Sequence, residues 1–139
     1  MRNLVLAASA LALFAGAAHA ETLRFHATLN GASEVPPNTT GGIGQATATL
    51  DTATKAFNYT LTFSGLTGPA TAAHFHGPAG PGVNAPPAVM IMKLQSPVTG
   101  SATLTDAQIA DLKAGKWYVN VHTAAHGPGE IRGQVNGGP

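Results

Sequence analysis

The chain of 139 residues contains no cysteine and little charge, with seven Lys or Arg and six Asp or Glu. Without cysteine there is no disulfide, so the fold stands on packing alone, and any metal it holds is not held by thiolate. The few charges are balanced and unclustered, which removes any electrostatic reason to seek nucleic acid or anionic lipid. There is no G-x-S-x-G elbow, no cysteine nucleophile and no pair of carboxylates within one motif. An enzyme is therefore the least supported class of function. The one catalytic route left open is redox chemistry at a histidine-bound copper ion.

The longest apolar stretch, Leu4 to Ala18, follows Arg2 and ends at Ala18-His19-Ala20, an A-x-A-like cleavage site. These features predict a secretory signal peptide over residues 1–20, cut before Glu21. The stretch is short for a membrane span, and no stop-transfer pattern follows it. No cysteine follows it either, so a lipid anchor is excluded. The expectation is an exported protein, periplasmic or secreted, with no membrane anchor after cleavage and with residues 21–139 as one domain. Without Arg2 that domain has six basic and six acidic side chains.

The rest of the chain reads as short alternating runs punctuated by Gly, Pro and Asn. In "TLRFHATLNG" Leu23, Phe25, Ala27 and Leu29 share one face, and "AFNYTLTFSG" repeats the pattern with Phe57, Tyr59, Leu61 and Phe63. "QATATLD" precedes the second of these, and "DTAT" supplies a four-residue hairpin connection between them. "ATAAHFHG" follows, then "AVMIMKL", whose unbroken apolar character predicts a strand covered on both faces. "KWYVNVHT" and "EIRGQVN" close the chain. "EVPPNTTGG" is expected as a loop or an edge, because Pro36 and Pro37 donate no ladder hydrogen bonds.

One segment departs from the strand period. In "LTDAQIADLKAG" Thr105 and Gln108 form a capping box, Asp106 sits in the first turn and Gly115 ends the segment, so a short helix is predicted near residues 106–114. About seven short strands with frequent turns and one small crossover helix predict an all-β, immunoglobulin-like antiparallel sandwich.

Strand alternation also decides where the histidines point. Ala73 and Phe75 read as inward, which puts His74 and His76 together on the other face. Trp117, Val119 and Val121 are the inward set of the late strand, leaving Tyr118, Asn120 and His122 outward. In the last strand Ile131 and Val135 read as inward, with Glu130, Arg132 and Gln134 outward. Paired strands would thus bring His74, His76, Asn120, His122, Glu130 and Arg132 into one polar patch. Two histidines at i and i+2 lie about 7 Å apart, close enough to grip one ion. His122 supplies a third imidazole and His126, in the following turn, a fourth. All-imidazole ligation without sulfur suits Cu(II) or Zn(II), with Ni(II) as a further candidate, and argues against a soft Cu(I)-type site. Glu130 either ligates directly or orients an imidazole. The competing account is a purely hydrogen-bonded network in which the histidines cap loop carbonyls and Glu130 pairs with Arg132 or a histidine. His26 reads as an ordinary exposed strand residue.

Several motifs match a known family in order. "LNGASEVPPNTTGGIGQATATLD", "AAHFHGPAG", "TLTDAQIADLKAGKWYVNVHT" and "GEIRGQV" together resemble the CHRD domain, the chordin-type module of exported and extracellular proteins. The resemblance spans about residues 22–135 and implies an immunoglobulin-like β-fold outside the cytoplasm, without implying an activity. His126 departs from the family pattern, which resembles Asn-Pro where this chain has His126-Gly127-Pro128. Two functions fit the residues: a module that holds copper or zinc, and a structural or interaction domain for an extracytoplasmic protein partner. The second would use sheet edges or the "GPAGPGVNAPPA" loop.

Overall fold

The computed structural model describes residues 19–138. The signal-peptide expectation therefore lies, apart from His19 and Ala20, outside the described residues. Eight strands follow in chain order: β1 (Thr22–Asn30), β2 (Ile43–Asp51), β3 (Ala56–Ser64), β4 (Ala70–His76), β5 (Pro87–Met90), β6 (Val98–Thr103), β7 (Trp117–Thr123) and β8 (Ile131–Gly137). A helix, α1 (Asp106–Lys113), lies between β6 and β7. All ladders are antiparallel. Among the described residues no helix is long and apolar enough to cross a membrane.

The expected all-β antiparallel architecture with one short helix is present. The expected two layers belong to one continuous sheet, in the order β5-β4-β7-β8-β1-β2-β3-β6. β1 joins the two halves, pairing with β2 on one side and β8 on the other, and the sheet curls until those halves face each other. Contacts between distant strands show the curl: the Phe57 ring of β3 meets Phe75 of β4 edge-on at 5.2 Å and Trp117 of β7 at 5.8 Å. Phe25, Phe57, Leu61, Phe75, Trp117, Val119, Val121 and Ile131 fill the space between the halves, and Phe63 packs half-buried at its margin. Gly133 permits a close approach of β8 to β1. A Cβ there would run into the Thr28 carbonyl of β1, which no rotamer change relieves.

The local chemistry follows the sequence. Thr105 accepts from the Gln108 N–H and the Gln108 side chain accepts from the Thr105 N–H, so the capping box starts α1 as expected. Gly115 takes a φ of 70° after its end. In the β2–β3 connection the Asp51 carboxylate accepts from the N–H groups of Ala53 and Thr54. The "EVPPNTTGG" segment lies outside every strand, after a single 3₁₀ turn at Gly31–Ser33.

Two details differ from the sequence reading. The run "AVMIMKL" is not covered on both faces: β5 is an edge strand, with Val89 and Ile91 in the core and Met90 and Met92 exposed. β6 is an additional edge strand, short and poor in large apolar side chains, held by pairing with β3. Gly100 in β6 makes room for the Tyr59 ring, which lies where its Cβ would be.

Candidate metal centre

The curled sheet has an outward face as well as a core, and on β4, β7 and β8 that face carries polar side chains. Register sets three rows across it. His74 of β4 pairs with Asn120 of β7, which pairs with Arg132 of β8; His76 pairs with Tyr118 and then Gln134; His122 pairs with Ala72. Strand alternation thus places His74, His76 and His122 on one side, as expected. Their nitrogens come within 4.8 Å of one another. Ring centroids are 5.2 Å apart for His74 and His76, 5.1 Å for His74 and His122, and 6.5 Å for His76 and His122.

Loops cover much of this face. The connection from β4 to β5, residues 77–86, is held down by Arg132, whose guanidinium donates to the Gly80 and Val83 carbonyls and to Asn84 Oδ1. Gln134 adds a bond to the Ala79 carbonyl. The guanidinium lies 3.5 Å over the Tyr118 ring, and that ring stacks on His76 at 4.6 Å, almost parallel. Arg132 therefore reaches the site through the loop and the stack, without touching an imidazole. His76 and Asn120 are buried and His74 and His122 half-buried as a result.

The hydrogen bonds determine which nitrogens remain free. His76 Nδ1 lies 2.8 Å from the Ala85 carbonyl, and His122 Nδ1 lies 2.9 Å from the Gly127 carbonyl. A carbonyl only accepts, so each Nδ1 carries the proton, and each neutral ring has its lone pair on Nε2. Both Nε2 atoms point to Asn120 Oδ1, at 2.9 and 3.1 Å. That oxygen is also an acceptor, so three lone pairs converge with no proton between them. His74 adds a buried Nδ1 that has no hydrogen-bond partner.

Turning the Asn120 amide over would give both imidazoles a donor. It would also set the amide oxygen toward Glu34, a buried carboxyl beside Asn120. Two acceptors would then oppose each other unless Glu34 carries a proton. Burial pushes the Glu34 carboxyl up, against the pull of the Val35 N–H, the Asn120 side chain and Arg132. Sequence reasoning did not find Glu34, whose loop has no periodicity to aim it. Burial also lowers His74 and His76, and the neighbouring imidazoles add to the shift. For His76 the bonds to the Ala85 carbonyl and Asn120 oppose the shift without reversing it, so both rings are favoured in the neutral form at neutral pH.

Two candidates lie outside the group. His126 sits in the β7–β8 turn, where its backbone bridges Thr123 and Gly129, and it is not among the converging histidines. Glu130 does not face the imidazoles. It precedes β8, where strand alternation no longer holds, and its carboxylate is fully buried among threonines. Oε1 accepts from Thr40 Oγ1 and the Thr67 N–H; Oε2 accepts from the hydroxyls of Thr67 and Thr123. Burial alone would raise this carboxyl, but the four bonds outweigh it and bring it down to about 2.

The CHRD domain model matches residues 25–135, which includes at least part of every strand and every residue of the histidine group. The chain belongs to the CHRD family. Among curated proteins and among solved structures no match was found. CHRD domains are typically extracellular. Within this CHRD domain the histidines of β4 and β7 come from two of the segments that carried the resemblance.

Proposed function

We propose that this CHRD protein is an exported binding module that holds one divalent transition metal ion, copper or zinc, through His74, His76 and His122. One observation carries the reading: three imidazoles converge while backbone carbonyls fix the proton of His76 and of His122 on the nitrogen facing away. Metal-binding histidines are held in this way, with the second ring nitrogen donating to a carbonyl. Bonds of about 2.0–2.1 Å in a tetrahedral site set ligand nitrogens about 3.3 Å apart. Side-chain rotations closing the present separations, all within 4.8 Å, by about 1.5 Å at most reach that geometry. A protein side chain or water completes the shell, and Asn120 Oδ1 stands nearest. His126 is a fourth histidine only if its turn rearranges. Export rests on the leader features of residues 1–20 and on the family.

The test is a titration of chelator-treated protein with Zn(II) and Cu(II), followed by melting temperature and, for copper, by d–d absorption. An ion at a hundred times its Kd stabilises the native state by about 2.7 kcal/mol, which moves the melting temperature by roughly 10 °C in a domain of this size. If neither ion shifts it, the histidines serve only the hydrogen-bond network, and the domain reads as a structural or protein-interaction module.

A further inference from the structure

The face that carries the histidines continues onto the neighbouring edge strand. In the β4–β5 ladder His74 pairs with Met90 and Phe75 with Val89. Val89 and Ile91 enter the core, so Met90, the last residue of β5, stands on the histidine side; Met92 follows two residues later, just past the strand, where the Ile91 N–H still donates to the Ala73 carbonyl. Met90 is 55% exposed and Met92 84%. They are the only methionines after Met1. Burial of apolar surface does not account for them, since both leave most of their surface in water.

Ligand chemistry does account for them. Cross-strand partners hold their Cβ atoms about 4.5–5.5 Å apart, so a flexible thioether at Met90 reaches the His74 imidazole. Met92, two residues further along the chain and exposed, puts a second flexible thioether beside the same edge. Thioether sulfur is a soft ligand that selects Cu(I), whereas imidazole alone suits Cu(II) and Zn(II). The sequence alone puts no sulfur near the histidines; the β4–β5 register does.

We propose that Met90, Met92 and His74 form a binding site for monovalent copper at the rim of the histidine group. This deepens the metal-binding reading and rests on it for the orientation of His74. It names copper as the physiological ion, because zinc has no use for the two thioethers. Mono- and divalent ions share His74, so they compete, and no electron transfer is required for either to bind.

Silver(I) is a redox-inert probe of such a site. The protein, labelled with ¹³C at the methionine methyl groups, is titrated with Ag(I), and affinity is measured by competition with a chelator. The comparison is M90L/M92L, a volume-conserving change at exposed positions that leaves packing intact. The expected result is a shift of the two β5-edge methyl resonances at stoichiometric Ag(I). The double variant should lose about tenfold or more in Ag(I) affinity and keep Zn(II) affinity within about twofold. Unmoved methyl resonances, or Ag(I) affinity within about twofold of the parent, overturn the proposal. Parent protein that binds Ag(I) through these methyls but no Zn(II) or Cu(II) sinks the divalent reading and leaves the thioether site standing. Zn(II) binding lost on His76→Ala with methyls silent to Ag(I) does the reverse.

Discussion

Glu130 offers a direct test of how a charge is held in this domain without a cation beside it. Its carboxylate is 0% exposed and accepts four hydrogen bonds, two on each oxygen, from Thr40, Thr67 and Thr123. Burial would raise the carboxyl, but these bonds hold it at about 2, well below the value of 4.5 for a free glutamate. At about 1.4 kcal/mol per unit, the difference makes the ionised group contribute on the order of 3 kcal/mol. The folded value lies below the unfolded one, so this stability is complete above about pH 4.5 and is lost as pH falls through about 2.

Glu130→Gln keeps the shape and removes the charge. The new amide presents two N–H donors where Thr67 and Thr123 already donate, and hydroxyl rotation relieves only part of that conflict. Urea unfolding of parent and variant from pH 7 to pH 2 reads the effect. At pH 7 the variant should be less stable by about 3 kcal/mol, melting roughly 10 °C lower, and the gap should shrink by more than half at pH 2. Other carboxyls, including the raised Glu34, titrate in both proteins and cancel in the difference. A variant as stable as the parent at pH 7, or a gap that does not change with pH, refutes the reasoning.

Further outcomes follow from the same geometry. His76→Ala should weaken Zn(II) or Cu(II) binding by about a hundredfold in calorimetry, whereas His126→Ala and His26→Ala should leave it within about twofold. Burial holds His74 and His76 below a free imidazole, so protonation of these two ligands should weaken metal binding mainly below about pH 6.5, read by calorimetry across a pH series. An affinity that stays constant down to about pH 4 would refute ligation by these imidazoles. Arg132→Met removes the donors to Gly80, Val83 and Asn84 and should destabilise by about 2–4 kcal/mol. Faster proteolysis within residues 77–86 should accompany it.

The fold was legible wherever one face of a strand is large and apolar. Phe25, Phe57, Phe75, Trp117 and Ile131 mark the inward parity of β1, β3, β4, β7 and β8 without ambiguity, and the capping box marks α1. β6 was not legible because Val98, Gly100 and Ala102 offer only one large side chain to count. β5 was misread because Met and Val look alike to a hydrophobicity pattern, although only one of the two is buried here. At the site, parity alone placed His74, His76, Asn120 and His122, since all four lie inside regular ladders. Parity failed at Glu130, one residue outside β8. It was silent on Glu34, Thr40 and Thr67, which reach their partners from loops.

Counting donors against acceptors separates the two buried polar clusters by role. Around Glu130 every acceptor position named has a hydroxyl or N–H donor aimed at it, so nothing further is required and the cluster's product is stability. Around Asn120 the balance is the opposite. Two Nε2 lone pairs meet one amide oxygen, and the neighbouring His74 has a buried, unpartnered Nδ1, while the protons of His76 and His122 are committed to the carbonyls of Ala85 and Gly127. An arrangement with an excess of acceptors is electrostatically unfavourable by itself and becomes favourable when a cation enters. Mutation should sort the clusters accordingly. Removing a Glu130 partner should lower stability equally with and without added Zn(II) or Cu(II), whereas replacing a histidine should also abolish the extra stabilisation that the added ion gives the parent.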